Sequence, residues 1–337
     1  MNPGNRLAAL KIGLLLANRN AYREAVSYLE QALLGISGPH RAELLQVLDE
    51  TRRKAAIQVG ERASQYPHPA KTIGLDYDFL PAPRYGYGKP LHPDLYQIMN
   101  RRREDFVRFL GDLRNLAEHF ARIPKLPGPS DEVTPYWGNA YFSGLDAMSL
   151  YGLLALRRPR RYVEIGSGNS TKFARRAIAD HKLETRLISV DPTPRAAIDA
   201  LCDERIQEGL ESLDTRIFAG LEAGDILFVD NSHRAFTNSD VTVFFLELLP
   251  RLKPGVLVHL HDIMLPADYP PEWSGRYYSE QYLLACYLLA EWPRLKIVMA
   301  NRFISLDDAL MSIVAGVYEK AGLENPQGGG SFWMEMQ

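Results

Sequence analysis

Two hydrophobic grammars divide the chain. In its first part apolar side chains recur at helical spacing: Leu7, Leu10 and Leu14 precede a polar break at Asn18 to Asn20, and Ala25, Leu29, Ala32 and Leu33 follow it. Recurrence at i, i+3 and i+4 predicts amphipathic helices, and a third helix is expected over about Arg41 to Ala63. A stretch rich in Pro, Gly and Tyr over 64–92 breaks the period. Helical patterning resumes from Pro93 to about Ile123, and a second Pro-rich break, Pro124 to Pro135, leads into YWGNAYFSGLDAMSLYGLLAL, an aromatic loop running into a helix. From Arg161 short β-branched runs alternate with helical segments. Strands are expected at Tyr162 to Ile165, Leu187 to Val190, Ile226 to Val229, Val256 to Leu260 and Lys296 to Met299. Helices are expected near Thr171 to His181, Pro194 to Leu201, Val241 to Leu252 and Ser279 to Ala290. This alternation implies an α/β fold with an open, doubly wound, mainly parallel sheet covered on both faces, preceded by an all-helical N-terminal region. The closing residues NPQGGGSFWMEMQ read as a flexible tail that Phe332 and Trp333 could anchor. The expected division is therefore 1–65 helical, 66–134 linker and helical region ahead of the core, 135–320 sheet domain and 321–337 tail.

The first segment resembles one tetratricopeptide repeat, with Ile12 and Gly13 on one helix and Tyr22, Ala25, Leu29 and Ala32 on the next. A lone repeat cannot bury a continuous core, so it is expected to pack on the rest of the chain or on a second copy in a homodimer rather than to bind a peptide. The 337 residues, 46% of them hydrophobic, suffice for one large core and a smaller accessory domain. Lys and Arg number 39 against 41 Asp and Glu, a net charge of −2, which lacks the electrostatic footprint of a general nucleic-acid binder. Cys202 and Cys286 stand alone without a CxxC, so no disulfide framework or thiolate zinc site is expected and a reducing, cytoplasmic setting follows. No stretch approaches the roughly 20 apolar residues of a membrane span.

In an open α/β sheet ligands sit beyond the carboxyl ends of the strands. The first strand ends Glu164-Ile165-Gly166-Ser167-Gly168-Asn169-Ser170-Thr171, an acidic residue followed by glycines that let backbone approach a ligand. A dinucleotide fingerprint would place a third glycine where Thr171 stands, and Glu164 would repel a pyrophosphate. Asp191 ends the second strand, about 20 residues on, where a carboxylate can bind ribose hydroxyls. The set suits a nucleoside without a pyrophosphate.

On these motifs the middle of the chain resembles a class I S-adenosylmethionine-dependent methyltransferase, a Rossmann-like fold. YVEIGSGNST is similar to the family's first motif and ISVDPTPR to its second, while GDILFVDNSHR and LKPGVLVHLHDI resemble the fourth- and fifth-strand motifs of its small-molecule O-methyltransferase branch. The resemblance implies that Gly166 and Gly168 approach the methionine moiety of S-adenosyl-L-methionine, with Glu164, Ser167, Asn169, Ser170 and Thr171 shaping that pocket. It further implies that Asp191 binds the ribose, that Gly209 lies by the adenine, and that Asp230 borders the cofactor.

Asp230 and His233 end the fourth strand, and His259, His261 and Asp262 the fifth. The resemblance implies one of two uses. Asp230, His261 and Asp262 could hold Mg²⁺ or another divalent metal that lowers a hydroxyl's pKa, although Ile263 stands where the family's pattern expects an amide ligand. Alternatively His233 is a general base oriented by Asp230 or Asp262. His259 reads as a satisfied core histidine. Methyl transfer needs mainly alignment and exclusion of water, for which Tyr85, Tyr136, Trp137, Tyr269, Trp273 and Tyr278 are the aromatic candidates, and Pro266 to Gly275 reads as a lid. The function expected is O-methylation, or N-methylation, of a small or medium acceptor such as a saccharide, secondary metabolite or modified peptide. A nicotinamide-dependent oxidoreductase and a non-catalytic scaffold are the alternatives.

Overall fold

The computed structural model describes residues 9–11, 13–15, 17, 22–33, 39–64, 81–128, 131–139, 141–194, 197–323 and 329–337. The chain divides into two units, Met1–Phe79 and Leu80–Gln337. In the first, helices α1 (Tyr22–Leu33) and α2 (Pro39–Ser64) bury Leu29, Ala32 and Leu33 against Leu44, Leu48 and Ala9. Gly13 is the point of closest approach: a Cβ there would come within 2.9 Å of the Leu29 side chain. These helices fall where the spacing predicts them; Leu7, Ile12 and the break at 18–20 lie outside the described residues.

The second unit opens with α3 (Pro93–Asn100), α4 (Arg103–Arg114) and α5 (Ala117–Ala121). Helix α4 buries Phe106, Leu110 and Leu113 on one stripe and crosses α6 (Gly144–Arg157) at Gly152, where a Cβ would meet Leu113 at 2.4 Å. The core is a seven-stranded sheet in the order β3-β2-β1-β4-β5-β7-β6. Its strands are β1 (Arg161–Ile165), β2 (Arg186–Val190), β3 (Glu204–Ile206), β4 (Ile226–Val229), β5 (Leu257–Leu260), β6 (Leu295–Ala300) and β7 (Phe332–Met336). Strands β1 to β5 are mutually parallel, and β7 runs antiparallel between β5 and β6. Order reverses between β1 and β4, which makes their carboxyl ends the topological switch point. Helix α7 (Asn169–Asp180) follows β1, α8 (Asp240–Val243) follows β4, α9 (Glu280–Leu289) lies between β5 and β6, and α10 (Asn301–Ser305) and α11 (Asp308–Lys320) separate β6 from β7.

Three expectations change. The closing residues are no tail: Trp333 pairs with His259 on one side and Met299 on the other and is fully buried. FWMEM is a five-residue apolar run interrupted only by Glu335, too short a signal beside the glycines before it, and its stability comes from strands distant in sequence. A short edge strand, β3, extends the sheet beyond β2. The helix expected over Pro194 to Leu201 is, among the described residues, a single 3₁₀ turn at Asp199–Leu201. Among the described residues no helix is long and apolar enough to cross a membrane.

Candidate active site

At the end of β1 the chain turns through Gly166, whose φ of +80° and crowding leave no alternative to glycine: a Cβ would lie 1.8 Å from the Asp230 carbonyl oxygen. The next glycine differs, because a Cβ at Gly168 would meet nothing within 4 Å, so the loop leaves room there for a ligand. The loop is fixed from beneath. Thr171 Oγ1 accepts the Gly168 N–H at 3.0 Å and donates to Glu164 at 2.5 Å, while the Tyr162 hydroxyl donates to the other Glu164 oxygen at 3.1 Å. Asn169, Ser170 and Thr171 form the first turn of α7. Glu164 is fully buried; burial pushes its carboxyl up to about 8 against the hydrogen bonds from Ser170, Thr171 and Tyr162. Its contacts are those of a loop-stabilising carboxylate lying under the glycines.

Asp191 ties the next strand end to this loop. One oxygen accepts the Ser167 N–H at 2.8 Å and the other the Thr193 N–H at 2.7 Å, while Ser167 and Ser189 hydroxyls meet at 2.6 Å. Gly209 follows β3 at the same edge, where Ile206 accepts the Asp191 N–H.

The ends of β4 and β5 are built differently. His233 and Asp262 both adopt left-handed backbone, φ 61° and 55°, which costs a non-glycine residue of order 1 kcal/mol and persists only where the surroundings enforce it. Here they do. The His233 carbonyl accepts N–H groups from Ser279 and Glu280 at the start of α9, and its own N–H goes to the Asn231 side chain. Asp262 lies under Gly330, whose carbonyl accepts the Ile263 N–H at 2.8 Å.

The strained backbone helps to bring six ionisable groups together. His233 Nε2 lies 3.2 Å from Asp230 Oδ1 and 3.5 Å from Asp262 Oδ2, and its Nδ1 contacts Glu280 at 3.0 Å. His261 Nδ1 approaches Asp262 and Asp230 at 3.5 and 3.7 Å, with Nε2 3.5 Å from Asp146. Burial lowers both imidazoles, but Asp230 and Glu280 around His233, and Asp230, Asp262 and Asp146 around His261, drive them well above their ordinary range. Burial likewise raises Asp230 and Asp146, and the imidazoles outweigh it: Asp230 sits well below the carboxylate range and Asp146 at about 2.

Both His233 nitrogens face carboxylates, and Asp230 and Glu280 favour the charged ring, an arrangement that suits an imidazolium held in place better than the general base expected from the sequence. The residues do not fit a divalent cation either. Asp230, His261 and Asp262 converge, but both His261 nitrogens are turned to carboxylates, Nδ1 toward Asp230 and Asp262 and Nε2 toward Asp146. Among the described residues no group of three or more His, Cys, Asp or Glu is placed to hold a metal ion. His259 behaves as a core residue, bonded to Ser331 at 2.8 Å and stacked on Phe228 at 3.8 Å.

The aromatic candidates separate. Tyr269, Trp273 and Tyr278 cluster with ring centroids 5.7–6.2 Å apart, and Tyr278 lies 4.7 Å from the His233 ring. Tyr85 is held in the 84–92 loop against Asp268. Trp137 is elsewhere, buried beside Phe120 and Phe173 with its indole N–H on the Phe120 carbonyl, so it serves the core. Tyr136 is half-buried in the loop that Asn139 folds. The expected lid is largely a braced wall: Gln281 bonds Met264 and Ala267, and Asp268 accepts the backbone N–H groups of Arg84 and Tyr85 and the Tyr282 hydroxyl. The turn Pro271–Arg276 is the part with no buried residue.

Sequence reasoning missed Glu280 and Asp146. Nothing local marks Glu280, whose partner lies 47 positions away. Asp146 had a signal, a lone acid in an otherwise apolar helix; it accepts N–H groups from Gly330, Ser331 and Asn301.

Residues 163–263, from within β1 to just past β5, match the family described as a methyltransferase domain. Among solved structures the chain is similar to an SAH-bound methyltransferase from Podospora anserina, at 17% identity over 67% of this chain and 88% of that one, TM-score 0.35. It is also similar to an O-methyltransferase from Bacillus cereus in complex with SAH, at 16% identity over 68% and 90%, TM-score 0.33. No curated protein matches the chain.

Proposed function

We propose that the protein is an S-adenosyl-L-methionine-dependent methyltransferase acting on an oxygen of a small or medium acceptor, such as a saccharide, secondary metabolite or modified peptide. The observation that carries the reading is the concentration of polar groups at one sheet edge, inside the segment that matches a methyltransferase domain: Glu164, the glycine loop and Asp191 on one side of the switch point, Asp230, His233, His261 and Asp262 on the other. The cofactor, once bound, supplies an activated methyl group on sulfur. The protein's part is to hold the ligand over Gly168, present Asp191 to the ribose, and place the Asp230 and Asp262 carboxylates beside the acceptor. A hydroxyl donating to the Asp262 carboxylate becomes more nucleophilic and leaves its proton there as the methyl is transferred, and the neighbouring imidazole rings fix where Asp230 and Asp262 stand. Tyr269, Trp273 and Tyr278 would wall the acceptor side. N-methylation uses the same geometry with an amine in place of the hydroxyl. The helical first unit is proposed to serve association, in a homodimer.

Calorimetric titration with S-adenosylmethionine and S-adenosylhomocysteine tests the reading, with NAD as the competing ligand. Asp191→Ala should weaken cofactor binding at least tenfold, about 1.4 kcal/mol. Unchanged affinity removes Asp191 from the site, and binding of NAD alone replaces the function.

A further inference from the structure

At the opposite ends of the same strands, a cavity of about 490 Å³ is lined by Arg158, Arg160, Arg161, Lys182 and Arg186, with Glu184 as its lone acid. The size is that of a small-ligand site. It is formed by the turns entering β1 and β2, joined where Thr185 donates to the Pro159 carbonyl at 2.5 Å and the Arg186 N–H to the Arg160 carbonyl at 2.9 Å. Pro159 and Leu183 supply a buried apolar floor.

Folding alone does not account for this collection. Arg158 and Lys182 sit after the C-termini of α6 and α7 in left-handed backbone, φ 49° and 47°, where glycine is the unstrained choice. Arg161 and Arg186 are register partners on adjacent parallel strands, and like charges placed side by side oppose pairing. A cation at a helix C-terminus complements the helix dipole, which covers Arg158 and Lys182 but not the three arginines in and before the strands. Neutralisation is partial: Arg160 reaches Glu222 at 3.4 Å, Arg186 reaches Glu204 at 2.7 Å, and Arg161 donates to the Gly220 carbonyl. Among the described residues Arg158 and Lys182 make no ion pair. In a chain of net charge −2 this is a local excess of fixed positive charge in a recess.

We propose that this cavity binds a compact oligophosphate, an anion bearing two or more linked phosphate groups, at a site separate from the methyl-transfer edge. Guanidinium forks match phosphate oxygens in pairs, and a single multiply charged anion spanning the recess relieves the repulsion among all five cations. The five residues of β1, rising about 3.3 Å each, separate this cavity from the glycine loop, so the two sites should fill independently.

Calorimetric titration of the full-length protein with inorganic tripolyphosphate, and separately with ATP, tests the proposal at low ionic strength, with and without saturating S-adenosylhomocysteine. Binding tighter than roughly 0.1 mM, weakened by salt and unchanged by S-adenosylhomocysteine, is expected for both; tighter binding of ATP adds a contact on Pro159 and Leu183. The double variant Arg158→Gly, Lys182→Gly should bind at least tenfold more weakly while its melting temperature stays level or rises, because glycine relieves both left-handed residues. Arg161→Gln with Arg186→Gln should show the same loss without touching those turns. Absence of binding, affinity unaffected by either pair, displacement by S-adenosylhomocysteine, or binding of a DNA oligonucleotide without tripolyphosphate would overturn it.

Discussion

The two halves of the carboxyl edge reach their polar geometry by opposite means. Around β1 and β2 the groups are near in sequence: Thr171 lies seven residues from Glu164, the tight turn needs glycine at Gly166, and Asp191 and Thr171 hold the loop through its backbone N–H groups. Around β4 and β5 the groups are gathered from afar. His233 meets Glu280 across 47 positions, His261 approaches Asp146 on another helix, and left-handed backbone at His233 and Asp262 is enforced by α9 and by the C-terminal strand. A binding loop made of backbone tolerates change around it, whereas a cluster of buried charges depends on every element that supplies one. The half around β4 and β5 should therefore be the fragile half.

The largest expected effect is at the strand that braces it. Trp333→Ala empties a fully buried position against the stacked His259 and Phe228 rings and should destabilise the protein by about 3–5 kcal/mol, read by urea denaturation. If cofactor affinity in the surviving folded fraction falls as far as stability does, the halves are not independent. Next, Glu280→Ala leaves the buried His233 ring short of one carboxylate and should cost about 3 kcal/mol, whereas Glu280→Gln, which preserves the shape, should cost less. Both should bind S-adenosylhomocysteine within a few-fold of the parent.

On the other half, Glu164 gives a pH signature. Its folded value of about 8 lies above its ordinary 4.5, so the folded protein binds a proton that the unfolded chain has released. The stability this confers is present below about pH 4.5 and is lost as pH rises through about 8, with a slope of at most about 1.4 kcal/mol per pH unit. Thermal unfolding between pH 5 and 8 should show that decline in the parent and a flatter profile in Glu164→Gln; identical profiles would mean that Glu164 is ionised under the loop. The smallest effect expected is none: EDTA should leave cofactor binding and turnover unchanged, and restoration of lost turnover by Mg²⁺ would show that the imidazole and carboxylate pairs rearrange around a metal.

How much was legible follows the same division. The parallel strands from β1 to β5 other than β3 read directly from short β-branched runs, and Gly166, Gly168 and Asp191 from their positions at strand ends. Strand β7 did not, because five residues after a glycine run carry too little pattern and its pairing comes wholly from β5 and β6. The aromatic residues were legible as a class but not individually: Trp137 and Tyr278 look alike in sequence, yet one packs on Phe120 and the other on His233.

By itself the sequence determined what depends on near neighbours: the alternation of strands and helices, the glycine turn after β1, the carboxylate after β2 and the helical pairing in the first unit. Only the tertiary structure decided the partners of the charged groups around β4 and β5. A histidine at a strand end can be a base, a ligand or a cation, and the choice is made by the carboxylates that neighbouring strand ends and a distant helix bring within 3–4 Å of its nitrogens.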